Sequence, residues 1–462
     1  MHPFLLENLS FSLRGRKILL GITGSIAAFK ACDLIRILRG AGAEVRVVLS
    51  EGAKNFVTPT TLETLSGAPV LSTMWLNSSS STLPESSGTG WASHGTHHIS
   101  AARWADAFVV APATAHTLAK LAHGFADDLL STEALAFQGP LVVAPAMNPA
   151  MYSNPATQAN LTLLRSRSVV FAGPEIGKTS CGEEGEGRMS TPEVIAETIA
   201  QALTSSKGIN TRSLNGRPKK IVITLGPTRS AIDAVRFLTN RSSGKMGACL
   251  GWASLLRGYE TTIIAGPLST DVSGTSPVVF PHGARLISVQ TTEQMAAASE
   301  AAFQDADIFV SAAAVLDWEC AETFEGKLKK NQGTPEVRLR PAIDILKQLG
   351  SRKRAGQVLI GFAAEFESIE AYAHAKLEAK NCDAIFANPI HAANSGFESD
   401  HNQGFWIARG KAAQALGPLR KSELAHALLD RVEELVQYRS ATQEDSAPPV
   451  EALKSEAAPL IC

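Results

Sequence analysis

The 462-residue sequence predicts an α/β protein of two parallel-sheet domains, on three observations. Short apolar runs alternate with amphipathic helical stretches along most of the chain, the pattern of doubly wound sheets. The alternation starts twice, at Lys17 and at Lys219, each time as a strand, a turn and a helix. Between the two starts, Ser205 to Pro218 mixes Ser, Gly, Asn and basic residues, as a linker does. A chain of this length holds two or three domains with their own cores. The expected boundaries are 1–204 for the first domain, 205–217 for the linker, 218–438 for the second domain and 439–462 for a disordered tail rich in Ala, Glu and Pro.

The formal net charge of -1 leaves no overall positive field to recruit nucleic acid or an anionic membrane. The six cysteines are scattered without C-x-x-C pairs, against a disulfide framework or a thiolate zinc site. Glu7, Arg14, Arg16 and Lys17 interrupt the apolar start, so no signal peptide is expected. No uncharged apolar run reaches the ~18 residues of a membrane span. A soluble, cytoplasmic chain without nucleic-acid or membrane partners is the expectation.

In the first half, Lys17 to Ile22 is an apolar strand, followed by Gly21-Ile22-Thr23-Gly24-Ser25-Ile26-Ala27-Ala28 and a helix to about Arg39. Free backbone N–H groups, the helix dipole and the Ser25 hydroxyl make this turn a candidate anion site. The pattern is not G-x-G-x-x-G, so a dinucleotide is not indicated. Glu44 to Leu49 completes a βαβ unit. Asn77 to Thr96 is rich in Ser, Gly and Thr and reads as a mobile insertion that ends at His97-His98. His98 suits proton transfer near pH 7 or is a solvated surface residue.

Ala107 to Val110 is the next strand, leading into Ala111-Pro112-Ala113-Thr114, and Asp127-Asp128 opens a helix. Leu141 to Ala144 reads as a buried parallel strand whose end carries Pro145-Ala146-Met147-Asn148-Pro149-Ala150-Met151-Tyr152. Ligands of such sheets sit past the carboxyl ends of the strands. There Asn148 can donate and accept hydrogen bonds, and the thioethers can pack on a flat ring. The alternative is an ordinary turn with Asn148 as a helix cap. After Val169 to Phe171, the glycines and charges of Thr179 to Met189 predict a mobile flap. Cys181, between Ser180 and Gly182, has either a chemical role or none as an exposed thiol.

His98-Ile99 followed by Trp104, Ala111-Pro112-Ala113-Thr114, the run from Pro145 to Tyr152, and Ser180-Cys181-Gly182 ahead of Gly187-Arg188-Met189 resemble the FMN-dependent cysteine decarboxylases over residues 17–204. The resemblance implies a flavodoxin-like fold, bound FMN, and decarboxylation of 4'-phosphopantothenoylcysteine in coenzyme A synthesis. It implies His98 as active-site base, Asn148 as the grip on the substrate carboxylate and Cys181 as proton donor. Thr23, Gly24, Ser25, Ser50, Ala113 and Thr114 would hold FMN, its phosphate at the first helix. Ala101 departs from the family's usual Leu, and the Ser-rich insertion is a second departure.

The second half opens with Lys219 to Thr224 and the turn Gly226-Pro227-Thr228-Arg229, followed by Asp233, Arg236 and Thr239-Asn240-Arg241-Ser242-Ser243-Gly244-Lys245-Met246-Gly247. Hydroxyls, glycines and a lysine at a helix start form a second candidate phosphate site, or a capped helix with basic flanks. Glu260 to Ala265 and Asp307 to Ser311 continue a second parallel sheet. Past the latter, Asp317 can meet a metal or a ribose. The lysines of Gly326-Lys327-Leu328-Lys329-Lys330 suit a triphosphate or form a solvated loop. Gly361-Phe362-Ala363-Ala364-Glu365 ends another strand, with Lys376 and Lys380 on one helix face.

The run from Gly226 to Gly247 gives residues 218–438 a resemblance to the phosphopantothenate-cysteine ligases, and the fusion is that of the bacterial bifunctional enzymes. The resemblance implies a Rossmann-like nucleotide-binding half in which CTP and Mg2+ activate the 4'-phosphopantothenate carboxylate as an acyl cytidylate that cysteine attacks. Asn240 would meet the acyl intermediate, Asp317 and Lys327 the CTP with its magnesium, and Phe362, Lys376 and Lys380 the nucleotide. It further implies homo-oligomers, with trimeric decarboxylase halves, the flavin between subunits, and dimeric ligase halves. Ser230, Ala234, Leu316 and Ile343 depart from common family residues. A non-catalytic flavin-binding regulator is disfavoured by His98, Asn148 and Cys181 together, and a dinucleotide oxidoreductase by the missing glycine fingerprint.

Overall fold

The computed structural model describes residues 2–74, 97–205, 216–268, 276–329, 336–365, 369–389 and 399–444, which form two compact units. The insertion expected at 77–96, residues 206–215 of the expected linker and the tail from 445 lie outside the described residues.

In the first unit, strands β1 (Lys17–Ile22), β2 (Glu44–Leu49), β3 (Ala107–Ala113), β4 (Leu141–Pro145) and β5 (Val170–Phe171) form a parallel sheet in the order β2-β1-β3-β4-β5. This is the flavodoxin-like order, with its switch point between β1 and β3. Both strands are buried almost throughout, as a sheet covered on two faces requires. Gly21 is dictated by packing, because a Cβ there would lie 2.8 Å from Leu130 Cδ1 of the helix Leu129–Ala136. That helix opens at Asp128, which caps it in a reciprocal box with Ser131. The helix expected after β1 starts instead with a 3-10 turn, Ile26–Phe29, before the α-helix Lys30–Gly40. The expected flap is an antiparallel ribbon of β6 (Glu175–Lys178) and β7 (Glu184–Arg188).

In the second unit, β8 (Lys220–Leu225), β11 (Glu260–Ala265), β12 (Arg285–Ser288), β13 (Ile308–Ser311), β16 (Val358–Glu365), β17 (Ala384–Pro389), β18 (His401–Ala408) and β19 (Gln414–Arg420) form an eight-stranded sheet. Its order is β12-β11-β8-β13-β16-β17-β18-β19, whose first six strands repeat the Rossmann sequence 3-2-1-4-5-6. The sheet is mixed, since β17, β18 and β19 pair antiparallel. Two short ribbons, β9 (Arg229–Ala231) with β10 (Phe237–Thr239) and β14 (Trp318–Cys320) with β15 (Leu339–Pro341), complete it. The final helix, Lys421–Glu444, runs through residues 439–444, which the sequence reading assigned to the tail. The helix continues past the point at which composition turns polar, because extending a formed helix costs far less than starting one.

One device recurs three times. Asp106, Asp307 and Asp383 each stand immediately before a strand, at β3, β13 and β17. Each carboxylate accepts from a neighbouring strand's N–H, of Lys17 at 2.8 Å, Lys220 at 2.7 Å and Leu359 at 2.7 Å. Each Asp N–H returns a bond to the same residue's carbonyl, at 2.7, 2.9 and 2.8 Å respectively. The pair satisfies backbone groups where the parallel ladder begins. No helix among the described residues is long and apolar enough to cross a membrane.

Candidate active sites

Each sheet carries a cavity at the carboxyl ends of its strands. In the first unit a cleft of about 630 Å³ is lined by Thr23, Gly24, Ser25, Ser50 and Thr114, together with Met147 and Met151. Gly24 is required here, because its Cβ would sit 3.0 Å from the Gly52 backbone, where the β1 and β2 loops meet. The Thr23 hydroxyl donates to Pro112 O at 2.7 Å and accepts from Thr114 N–H at 3.2 Å. Thr23 therefore ties the β1 and β3 ends together, with its side chain already engaged. Ser25 and Thr114 cap the segments that follow them. The Ser50 hydroxyl makes no such cap bond. Ala113 is fully buried in β3 and does not line the cleft.

Asn148 is half-buried and caps the short helix Pro149–Ser153, its Oδ1 accepting from Ala150 N–H at 2.8 Å. The cap reading and the site reading thus hold together. Because the cap needs an acceptor, Nδ2 must face outward, so Asn148 offers a ligand a donor only, not the donor and acceptor expected from sequence. Nδ2 donates to Glu183 Oε2 at 2.7 Å.

The ribbon β6–β7 is seated on the same segment, Met147 N–H donating to Gly187 O at 3.0 Å. A Cβ at Gly187 would lie 2.6 Å from Met147 O, and one at Gly185 2.9 Å from Pro149 Cβ, so both glycines allow this approach. The turn between the strands carries Cys181, exposed, two residues from Glu183. The structure therefore brings Asn148 to the Cys181 turn. The backbone of His98 lies in the first turn of the helix His97–Trp104, while its side chain lies outside the described residues.

In the second unit a cavity of about 440 Å³ opens at the β8–β13 switch point, lined by Asn240, Gly244, Lys245, Asp317, Phe362, Lys376 and Lys380 among others. Asn240 Nδ2 donates to Ala314 O at 3.2 Å and Val315 O at 2.9 Å, which leaves its Oδ1 as the group for a ligand. Lys380 pairs with Asp344 at 3.2 Å. Phe362 stacks edge-on against Phe386.

Lys327 does not line this cavity, contrary to the expectation that it meets the nucleotide there. Its exposed loop is fastened elsewhere. Asp233 Oδ2 accepts from Leu328 N–H at 3.2 Å, Arg236 donates to Leu328 O at 2.8 Å, and Ala234 N–H bonds Gly326 O at 3.0 Å. Burial would raise the Asp233 carboxyl, but bonds from Val235, Arg236 and Leu328 hold it well below the ordinary carboxylate range.

Sequence reasoning missed Lys421, a buried residue whose side chain lines the cavity. Desolvation lowers its pKa to about 8, Lys245 adding to the shift and Asp400 opposing it. A signal was present: Lys421 is the first residue of a helix, where a cation opposes the dipole. His116 and Lys120 of the first cleft were missed too, the latter paired with Asp127 at 2.8 Å and Asp128 at 2.7 Å.

The family model described as Flavoprotein matches residues 7–204, and that described as DNA/pantothenate metabolism flavoprotein C-terminal domain matches residues 216–436. The chain is 40% identical over 391 residues to the coenzyme A biosynthesis bifunctional protein CoaBC of Bacillus subtilis, covering 84% of this chain and 90% of that one. It is 40% identical over 427 residues to its Haemophilus influenzae counterpart, covering 92% and 99%. With the Escherichia coli protein it shares 39% identity over 423 residues, covering 90% and 96%.

Proposed function

The chain belongs to the family of bifunctional coenzyme A biosynthesis proteins, and we propose that residues 218–438 join cysteine to 4'-phosphopantothenate with CTP while residues 1–204 decarboxylate the product to 4'-phosphopantetheine. The observation that carries the decarboxylase half is the outward Asn148 donor beside the Cys181 turn; Asn148 does not itself line the cleft, but it directly follows Met147, which does. A donor fixed by its own cap is preorganised for a carboxylate. Cys181 supplies the proton of the final reduction, and His98 acts as base.

The cleft fits flavin mononucleotide. Gly24 and Ser25 at the β1 turn and the Ser50 and Thr114 hydroxyls suit its phosphate and ribityl chain, and Met147 and Met151 suit a flat ring. Bound FMN supplies oxidation of the cysteinyl thiol, which makes loss of carbon dioxide easy. Thr23 contributes by holding two loops, and Ala113 through backbone alone.

In the ligase half, the Lys376 and Lys380 cations and Phe362 favour a nucleotide triphosphate, and Asp317 offers one carboxylate to Mg2+. Magnesium held by a triphosphate needs only one or two protein carboxylates. No cluster of three or more His, Cys, Asp and Glu exists among the described residues to cage it. The Asn240 Oδ1 is an acceptor suited to an attacking amine at the acyl cytidylate. Lys327 reaches the reacting phosphates only once its loop leaves Asp233, or from a second chain.

Exposed Ile26, Phe29 and Phe125 in the first unit, and Val235, Phe237 and Trp318 in the second, support self-association. Trimeric decarboxylase halves and dimeric ligase halves are the proposed arrangement, and the cytoplasm, where thiols stay reduced, the proposed compartment.

The test is Cys181→Ser, which exchanges a thiol for a hydroxyl, a far weaker acid. Carbon dioxide should still be released, with an oxidised product two hydrogens lighter than phosphopantetheine seen by mass analysis without oxygen. Normal phosphopantetheine at the normal rate would remove Cys181 from the mechanism.

A further inference from the structure

The cavity of the second unit is met by the first turns of two helices, Lys245–Leu256 and Lys421–Glu444, each of which begins with a lysine that lines it. The first N–H groups of a helix have no intrahelical partner and carry the positive end of its dipole. Ser242, Ser243 and Gly244 lead into the first of these helices and line the cavity too. One residue holds the two lysines together. Asp400 Oδ1 accepts from Lys245 Nζ at 2.6 Å, and Asp400 O accepts from Lys421 N–H at 2.9 Å. Asp400 is not among the lining residues, so the lysines reach the cavity and their acid does not. Lys421 is only 4% exposed. A cation that is buried and also starts a helix is disfavoured twice, by desolvation and by the dipole. Such a group in a cleft is suited to a ligand whose charge offsets both.

We propose that Lys421 is a further nucleotide-binding residue of the ligase half, its ammonium set beside Lys245 on the two phosphates that leave as pyrophosphate. This deepens, and rests on, the reading of the cavity as the CTP site. Asn240, the group for the acyl centre, stands two residues before Ser242. A nucleotide joined to that centre at its α-phosphate lays its outer phosphates along Ser242, Gly244 and Lys245. As the phosphopantothenate carboxylate oxygen bonds to the α-phosphorus, the bond from that phosphorus to the oxygen shared with the β-phosphate breaks. The electron pair departs on pyrophosphate, and Lys421 and Lys245 stabilise the charge gathered there. A triphosphate carries more charge than the phosphomonoester of phosphopantothenate, and two lysines at two helix starts suit the larger.

The lysine's own charge responds to this anion. Desolvation lowers the Lys421 pKa to about 8; Cys249 opposes the shift, Lys245 adds to it and Asp400 opposes it, while His401 acts on Asp400. A phosphate at Nζ favours the charged form and raises that value, so nucleotide binding near pH 8 takes up protons.

The experiment uses the full chain with Lys421→Met, an apolar side chain of similar length, and Lys421→Arg, which keeps the charge; melting temperature reports the fold. Lys421→Met should raise KM for CTP by about ten- to hundredfold, as one charge-assisted bond predicts, and change KM for phosphopantothenate and cysteine by less than about twofold. Lys421→Arg should restore most of the loss. Calorimetry of CTP binding, with no phosphopantothenate to react, is run at pH 8 in buffers of different ionisation heat. It should count about half a proton taken up per CTP by the wild type and none by Lys421→Met. The wild-type count tests the proposal even where a variant does not fold. Absence of that uptake, or an unchanged KM for CTP in Lys421→Met with only a lower melting temperature, would overturn it. So would a rise in KM for phosphopantothenate alone, which assigns Lys421 to the other anion, or normal pyrophosphate release with amide formation lost, which makes it the proton acceptor of the cysteine amine. If the wild type makes no amide with CTP, the reading of the ligase half itself fails; if it does and Lys421→Met keeps its KM for CTP, that reading stands and Lys421 falls.

Discussion

The two units share a plan, a largely parallel sheet with a cavity at its switch point, yet they treat the loops that bear their proposed reactive residues in opposite ways. In the first, the turn that bears Cys181 is fastened onto the site, Glu183 to Asn148 and Gly187 to Met147. In the second, the loop that bears Lys327 is fastened to Asp233 and Arg236, outside the cavity. The difference teaches that a motif residue is where its loop's anchors are, whatever the motif implies. A loop seated on its site needs a device to let ligand in, and a loop held off needs one to bring it over.

The largest expected effect tests that separation. Lys327→Gln should lower amide formation by about a hundredfold or more, since a cation facing transferring phosphates is worth several kcal/mol. Decarboxylation of supplied phosphopantothenoylcysteine should be unchanged in the same preparation, and joint loss of both activities would break the comparison. Asn148→Asp keeps the helix cap but cannot donate, and sets a carboxylate against Glu183. A fall of about a hundredfold in kcat/KM for decarboxylation is expected. Near-normal turnover would leave Asn148 a cap and nothing more.

Asp233→Asn sharpens the contrast, because it weakens the anchor that holds the Lys327 loop away. If release of the loop limits ligation, kcat should rise by about two- to fivefold with a modest loss of thermal stability, in line with one charge-assisted bond. A fall in kcat would mean that Asp233 presents the loop for catalysis.

The smallest effect concerns Glu133, fully buried on the helix over β1 with neither carboxylate oxygen hydrogen-bonded. Desolvation holds its pKa well above the ordinary value. A raised folded pKa means the group is tolerated at acid pH, and that stability is lost as pH climbs from the unfolded value, about 4.3, towards the folded one. Glu133→Leu should therefore stabilise the first unit by about 1–3 kcal/mol at pH 8 and by less at pH 5. Equal gains at both pH values, read from melting curves, would contradict the burial of a neutral acid.

Lys17–Ile22, Glu44–Leu49 and Glu260–Ala265 were legible as strands because each is a short run that ends in three consecutive apolar or small residues buried in the sheet. The two starts of the alternation were legible for the same reason, and so were Asn148, Asp317 and Phe362 at strand ends. These are properties of short stretches, and the sequence by itself determined them. What it could not decide is which partner each polar group meets. Thr23 binds Pro112 and Thr114, and Asn240 binds Ala314 and Val315, across separations of about ninety and seventy-five residues that no local pattern encodes. Lys421 enters the cavity only because β18 and β19 turn the chain back beside β17. The carboxylate on Asn148 and the distance of Lys327 from its cavity are likewise tertiary facts. Hydrogen-bond capacity is a property of the residue, but how much of it is left for a ligand depends on which neighbours the fold has already satisfied.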